Sequence, residues 1–184
     1  MRTLPIQNPN GIVETYHCMT PFTINSAMEP DVPVLLALIR ELAEFEQLAQ
    51  ELEVTADSLR AALFGKNIFA RALVARREGE PAGYAVFYRT FSTFVGQPGI
   101  FLDDLYVRPA FRKLGIGRAL LTRVAEIGAE LGGGRLEWIT LRWNENAFRF
   151  YRSIGASIMN EWALLRMNGQ EVRNLVGAKM KVAK

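Results

Sequence analysis

Between residues 31 and 46 the apolar positions Leu35, Leu38, Ile39, Leu42 and Phe45 recur at three- and four-residue intervals, the period of one helix face. Asp31 stands where a cap would serve the first free amides. Pro33 falls in the first turn, where a missing N–H costs little. A second helix is expected over about 56–64, capped by Thr55 and ended by Gly65. The period then changes. The stretch 69–91 reads as two strands around a turn at Gly79, 99–107 as another, and 21–27 as a short strand ahead of the helices. Helical spacing returns at Ile116, Leu120, Val124, Ile127 and Leu131. A strand over 135–143 follows. Asn144 then opens a helix through Ala147, Phe150, Tyr151 and Ile154 that stops at Gly155. The stretch 162–167 is expected as a last strand. Residues 1–20 have no period and read as a loose tail ahead of a single domain over 21–184.

The order β-α-α-β-β-β-α-β-α-β predicts an α/β (α+β) fold: a mixed, mostly antiparallel sheet with helices on both faces. The strands from 69 to 107 should form an antiparallel meander, and 99–143 a right-handed parallel crossover. The 184 residues suit one domain. No apolar run nears the ~18 residues of a membrane span, and the first residues lack the apolar core of a secretory signal. One cysteine, Cys18, excludes an internal disulfide framework and fits a reducing compartment. One histidine, His17, argues against a histidine-based metal site or triad. A cytoplasmic protein with no metal is expected.

Charge changes this picture through its distribution. Residues 41–57 hold six acids and no Lys or Arg; residues 108–123 hold five bases and no acid. One segment suits a cation, the other an anion. Each run alone also describes a solvated helix face. The basic run contains Arg112, Lys113, Leu114, Gly115, Ile116, Gly117 and Arg118 between a strand and a helix. Glycines there let backbone N–H groups approach an anion, and a helix N-terminus adds partial positive charge. Leu120 stands where a dinucleotide fingerprint needs its third glycine, and the Gly-Lys-Ser/Thr of a P-loop is absent.

Together with the strand end Leu105-Tyr106-Val107-Arg108-Pro109, the pattern Arg112-x-x-Gly115-x-Gly117 resembles the acetyl-CoA loop of the GNAT superfamily of N-acetyltransferases. About thirty residues on, the run from Asn144 to Ala156 resembles that family's second signature, an Asn opening a helix with a Tyr seven residues later. The resemblance covers roughly residues 21–170. It is strongest to the diamine (spermidine/spermine) and thialysine branch, through 38–46, 102–107, 143–156 and Glu161-Trp162. Asp103 stands where that branch usually has Glu, and Phe45 where a Tyr is common.

The resemblance implies a GNAT-like fold, acetyl-CoA as cofactor, a small cationic amine as substrate and a homodimer. It implies that Leu105, Tyr106 and Val107 hold the pantetheine arm and that residues 112–118 hold the diphosphate. Asn144, Asn146 and Ala147 would contact the cofactor, with Tyr151 beside its sulfur. An amine with a pKa near 10 arrives protonated, so the enzyme must attract a cation and remove a proton. Phe45, Glu46, Asp103, Asp104 and Glu161 are the candidates for binding it, and Asp103 or Asp104 for the base. Neighbouring acids on a strand point to opposite faces unless a bulge re-aims one. Leu105 is the expected backbone donor for developing negative charge, and Tyr151 the general acid. Direct transfer is simpler than an acyl-enzyme, for which only Cys18 offers a thiol.

Other readings stay open. The amine of an amino acid, an aminoglycoside or a protein is the alternative substrate. A catalytically silent acyl-CoA sensor would carry the same loop. A nucleic-acid binder would explain the basic pI, but the bases gather at one glycine turn rather than along an aromatic-lined stripe. No nucleic-acid or membrane partner is expected.

Overall fold

The computed structural model describes residues 6–7, 13–14 and 22–182; His17, Cys18 and most of the expected tail lie outside the described residues. The chain divides into two compact units, Met1–Leu141 and Arg142–Lys184.

In the first unit, β1 (Ile6–Gln7) and β2 (Val13–Glu14) pair as a small antiparallel sheet where a tail was expected. The main sheet runs β3 (Phe22–Ser26), β4 (Arg71–Arg77), β5 (Glu80–Ser92), β6 (Gln97–Val107) and β7 (Arg135–Trp138), in that spatial order. Every neighbouring pair is antiparallel except β6 and β7, which are parallel. The mixed, mostly antiparallel sheet and the meander are as the sequence predicts.

Two turns set the registers. Glu78 (φ 53°) and Gly79 (φ 84°) form the two-residue turn between β4 and β5, with Arg77 opposite Glu80. Positive φ at both positions matches the right-handed twist of the strands it joins. The turn between β5 and β6 has its tip at residues 93–96, with Ser92 opposite Gln97 and the Gly96 amide donating to the Ser92 carbonyl at 2.7 Å. Phe94 on that tip is 94% exposed.

Helices α1 (Val32–Phe45) and α2 (Ala56–Phe64) cover one face of the sheet. Val32, Leu35, Leu36 and Leu38 of α1 and Leu59 and Leu63 of α2 pack with Val74, Tyr84, Val86 and Tyr106 of the strands. Each such side chain contributes about 1.5–3 kcal/mol by leaving water. Helix α3 (Ile116–Glu130) covers the other face with Ile116, Leu120, Leu121, Val124 and Ile127. Gly128 of α3 lies against Ile100 of β6, which a Cβ there would meet at 3.5 Å.

The caps explain the helix limits. Thr55 accepts from the Ser58 amide at 3.1 Å, so α2 starts where expected. Asp31 does not cap α1: its carboxylate accepts from the Met28 amide at 2.9 Å and pairs with Arg76 at 2.6 Å. It closes the single 3-10 turn ahead of α1 instead.

In the second unit, α4 (Glu145–Ser153) is capped by Asn144, whose Oδ1 accepts from the Ala147 amide at 3.1 Å. Two expectations fail. The strand over 135–143 stops at Trp138, because its pairing with β6 ends at Leu102. The stretch 162–167 is not a strand; among the described residues no strand pairs with it, and Trp162, Leu164 and Leu165 stand exposed. The sequence reading also missed α5 (Gly169–Val182). Its signal was a capping box: Glu171 accepts from the Asn168 amide at 2.7 Å and Asn168 from the Glu171 amide at 3.0 Å. Among the described residues no helix is long and apolar enough to cross a membrane.

Candidate active site

The two adjacent acids sit on an irregularity in β6. Phe87 of β5 lies opposite Leu102, and Val86 opposite Asp104. Asp103 is therefore an extra residue on β6, a β-bulge. Its effect on side-chain direction is decisive. Ile100 and Leu102, before the bulge, share the α3 face with Phe87; Tyr106, after it, packs in the cluster under α1 and α2. Were Asp103 an ordinary paired residue, alternation would keep positions 100, 102, 104 and 106 on one face. The bulge moves Asp104 to the α1 and α2 face, opposite Val86.

There Asp104 is half-buried and meets Tyr84 of β5, whose hydroxyl donates to Oδ2 at 3.0 Å. Burial pushes the Asp104 carboxyl up to about 6, with help from the charges of Asp103 and Glu46, while the Tyr84 hydrogen bond opposes the rise. Glu46, one residue beyond α1, is itself raised by burial. Tyr84 is held well above the usual phenol range by burial and by Asp104. Tyr88 is raised by burial and by the Asp103 charge, and its ring stacks on Phe101 at 5.2 Å. The structure thus brings Glu46, Asp103 and Asp104 into one electrostatic neighbourhood. Tyr84 and Tyr88 were missed by the sequence reading. The signal for Tyr84 was a tyrosine at a core position, whose hydroxyl needs a partner.

Beyond Leu102 and Trp138 the edge of β6 has no strand beside it among the described residues. The Arg108 amide donates to the Ala82 carbonyl of the β5 side at 3.0 Å. Alternation along an antiparallel ladder then aims the N–H and C=O groups of Leu105 and Val107 at the open edge. The Val107 carbonyl accepts from Arg112 Nε at 2.9 Å on that side.

Residues 112–118 follow. Lys113 (φ 64°) and Gly115 (φ 84°) both take the left-handed conformation, and a Cβ on Gly115 would meet nothing within 4 Å. The first amide to bond back along α3 is Ala119, to the Gly115 carbonyl at 3.0 Å. The amides before it face outward at a helix N-terminus. A groove of about 450 Å³ beside Gly115 and Arg118 runs between β3 and α3, on the face opposite the carboxylates. The Arg112 guanidinium lies 4.9 Å from the Phe45 ring centre and 5.8 Å from that of Tyr106. Arg108 joins the end of β6 to α1 by a two-pronged pair with Glu41, its shortest contact 2.7 Å.

In the second unit Asn144 is the cap of α4, Asn146 accepts from Arg149, and Tyr151 packs beside Phe150 at 5.2 Å. Glu161 is exposed, in a turn beyond α4.

A model of the acetyltransferase (GNAT) family matches residues 36–156. Thialysine N-epsilon-acetyltransferase of Bos taurus is 37% identical over 165 residues, covering 84% of this chain and 96% of the relative. L-ornithine N5-acetyltransferase of Arabidopsis thaliana is 28% identical over 216 residues, covering 93% and 92%. Among solved structures, an integron cassette protein from the mobile metagenome of V. cholerae superposes with a TM-score of 0.72 at 23% identity, covering 86% of this chain and 98% of that one. An aminoglycoside acetyltransferase from an uncultured soil sample gives 0.68 at 21% identity, covering 80% and 95%. These two likenesses concern the fold. The match across both motifs and the bulged strand, together with relatives spanning nearly their whole length, places this chain in the GNAT acetyltransferase family, as an N-acetyltransferase.

Proposed function

We propose that the protein transfers an acetyl group from acetyl-CoA to a primary amine of a small cationic substrate, thialysine-like, diamine or polyamine, by direct attack in a ternary complex. The observation that carries this reading is Asp104: a carboxyl in a group of three acids, pushed up to about 6 and placed on a bulge beside an open strand edge. The amine class draws on the relatives, which act on thialysine and on ornithine.

The residues present fit the cofactor. The open edge at Leu105 and Val107 offers backbone groups for a pantetheine arm. The turn at 112–118 has open space over Gly115 and outward amides for a diphosphate. When bound, acetyl-CoA supplies the thioester carbonyl and a thiolate leaving group.

The chain's own residues do the rest. Asp103, Asp104 and Glu46 attract the ammonium, and its arrival offsets their mutual repulsion. Asp104 then takes a proton, directly or through water. Transfer from an amine of pKa near 10.4 to a carboxyl near 6 is uphill by about 6 kcal/mol; to an ordinary aspartate it would be about 9 kcal/mol. The first value fits inside the ~16 kcal/mol barrier of an enzyme turning over about ten times per second and leaves room for the transfer step. The Leu105 N–H, aimed at the open edge, is the donor for negative charge on a carbonyl oxygen laid there. Tyr151 Oη is the proton donor for the departing thiolate, an assignment supported by the second motif. A second copy of the chain as partner is supported by the exposed Trp162, Leu164 and Leu165.

The test is thiol release from acetyl-CoA across thialysine, ornithine, lysine, putrescine, spermidine, an aminoglycoside and a basic peptide. Release should be fastest with a diamino acid or diamine. Binding of acetyl-CoA with no release on any amine would overturn the reading in favour of a silent acyl-CoA binder.

A further inference from the structure

We propose that Tyr84 is a positioning residue for the base: its hydroxyl holds Oδ2 of Asp104 and leaves Oδ1 as the oxygen that takes the amine's proton. The inference deepens the proposed function and rests on Asp104 being the base.

Tyr84 is fully buried, at 0% exposure, among side chains of α1, α2 and the sheet. Its ring lies 6.4 Å from that of Tyr106, its directly opposite partner. The ring cannot swing out without opening this cluster. A phenol has one proton to donate, and it goes to Asp104 Oδ2 at 3.0 Å. Burial and the adjacent carboxylate keep that proton on Tyr84 throughout the working pH range.

The groups acting on Asp104 are Asp103 from β6, Glu46 from the end of α1 and Tyr84 from β5. Burial acts most strongly and the charges of Asp103 and Glu46 add to it, so all three favour the neutral carboxyl. Tyr84 is the one that favours the ionised form. It therefore does two jobs. It keeps enough carboxylate present near neutral pH to act as a base, and it decides which oxygen is basic. In the transfer, one N–H bond of the ammonium breaks, its electron pair stays on nitrogen, and the proton bonds to Oδ1. Oδ2 remains the acceptor of the Tyr84 hydrogen bond throughout.

The experiment is carbon NMR of protein labelled at aspartate carboxyls, with Asp104 assigned by the signal lost in Asp104→Asn, alongside the pH profile of kcat/KM. In Tyr84→Phe the Asp104 carboxyl should titrate roughly one unit higher, the effect of losing a hydrogen bond to a charged group. The acid limb of kcat/KM should move up by the same amount. An unmoved carboxyl titration overturns the inference whatever the rate does. A moved carboxyl with an unmoved rate limb overturns Asp104 as base, and with it any catalytic role for Tyr84. The wild type gives an independent reading if Tyr84→Phe does not fold: the Tyr84 Cζ resonance should titrate with the midpoint of Asp104, and unrelated midpoints would overturn the hydrogen-bonded pair.

Discussion

The two halves of β6 are made of one strand and do different work. Residues 99–102 are paired on both edges, by β5 and by β7, and Gly99, Ile100 and Leu102 are buried. Past the exposed, bulged Asp103, residues 104–107 are paired on one edge only and begin with a half-buried Asp104. A fully paired strand buries its backbone and offers nothing to a ligand. A strand with one free edge keeps the rigidity of the sheet and exposes directed donors and acceptors. The single extra residue at Asp103 separates these two conditions. It also turns the side chains over, so the strand contributes to one core layer before the bulge and to the opposite layer after it.

Deleting Asp103 is the most severe way to break this contrast. Its loss joins Leu102 directly to Asp104, and plain alternation then keeps Leu102 on the α3 face and Asp104 opposite Val86, in a strand without the bulge. The fold should persist in chemical denaturation, because the pairs on both sides are kept, while measurable transfer should be lost with the bend that the bulge puts into the strand. A deletion variant that stays folded and active would remove the bulge from the explanation.

Asp104→Asn separates site from fold. In thiol-release assays kcat/KM should fall by about 10²–10⁴, the usual contribution of a general base. Stability should move the other way. A carboxyl raised to about 6 in the folded state, against 3.8 ordinarily, weakens the fold once pH rises through 6. That weakening is absent below about pH 4. The Asn variant should therefore melt higher at pH 8, by about 2 kcal/mol, and lose its advantage at pH 4.

Ile100→Ala probes the first half. Ile100 is 1% exposed and lies against Gly128. Its truncation should cost about 2–4 kcal/mol in denaturant titration and leave kcat/KM within about twofold below the melting range. The smallest effect is expected from Asp103→Asn. Removing a like charge lets Asp104 ionise more readily, so the acid limb of kcat/KM should shift to lower pH by a fraction of a unit. The shift should shrink as salt is added, since Asp103 is exposed. An upward shift would contradict the assigned electrostatics.

What could be read from the sequence follows from how local its cause was. Helix α2 is specified by Thr55 and Gly65, both within a turn of its ends, and its limits were legible. The acids at 103 and 104 and the glycine turn announced themselves by composition. Which way each acid points was not legible, because it depends on the partner strand: the bulge exists only as a mismatch between Val86–Asp104 and Phe87–Leu102. Tyr84 looked like any apolar alternation position until its hydroxyl found Oδ2. The stretch 162–167 has strand composition, but a strand needs a neighbour, and composition cannot supply one. Helix α5 was legible in principle, through Asn168 and Glu171, and was passed over because the apolar pattern behind them is weak.

The exposed tip at 93–96 has a bearing on which changes the chain can tolerate. It fixes Ser92 opposite Gln97, and so fixes, further along both strands, Tyr84 near the Oδ2 atom of Asp104. Substitution of Phe94 leaves that register alone, but insertion or deletion of one residue slides β5 past β6 and turns Tyr84 away. Apart from Gly96, whose φ of 69° favours glycine, the loop is thus free in composition and constrained in length. A library that varies residues 93–95 should retain activity, whereas one that varies the loop's length by a single residue should lose it, although nothing in the loop is assigned to the substrate.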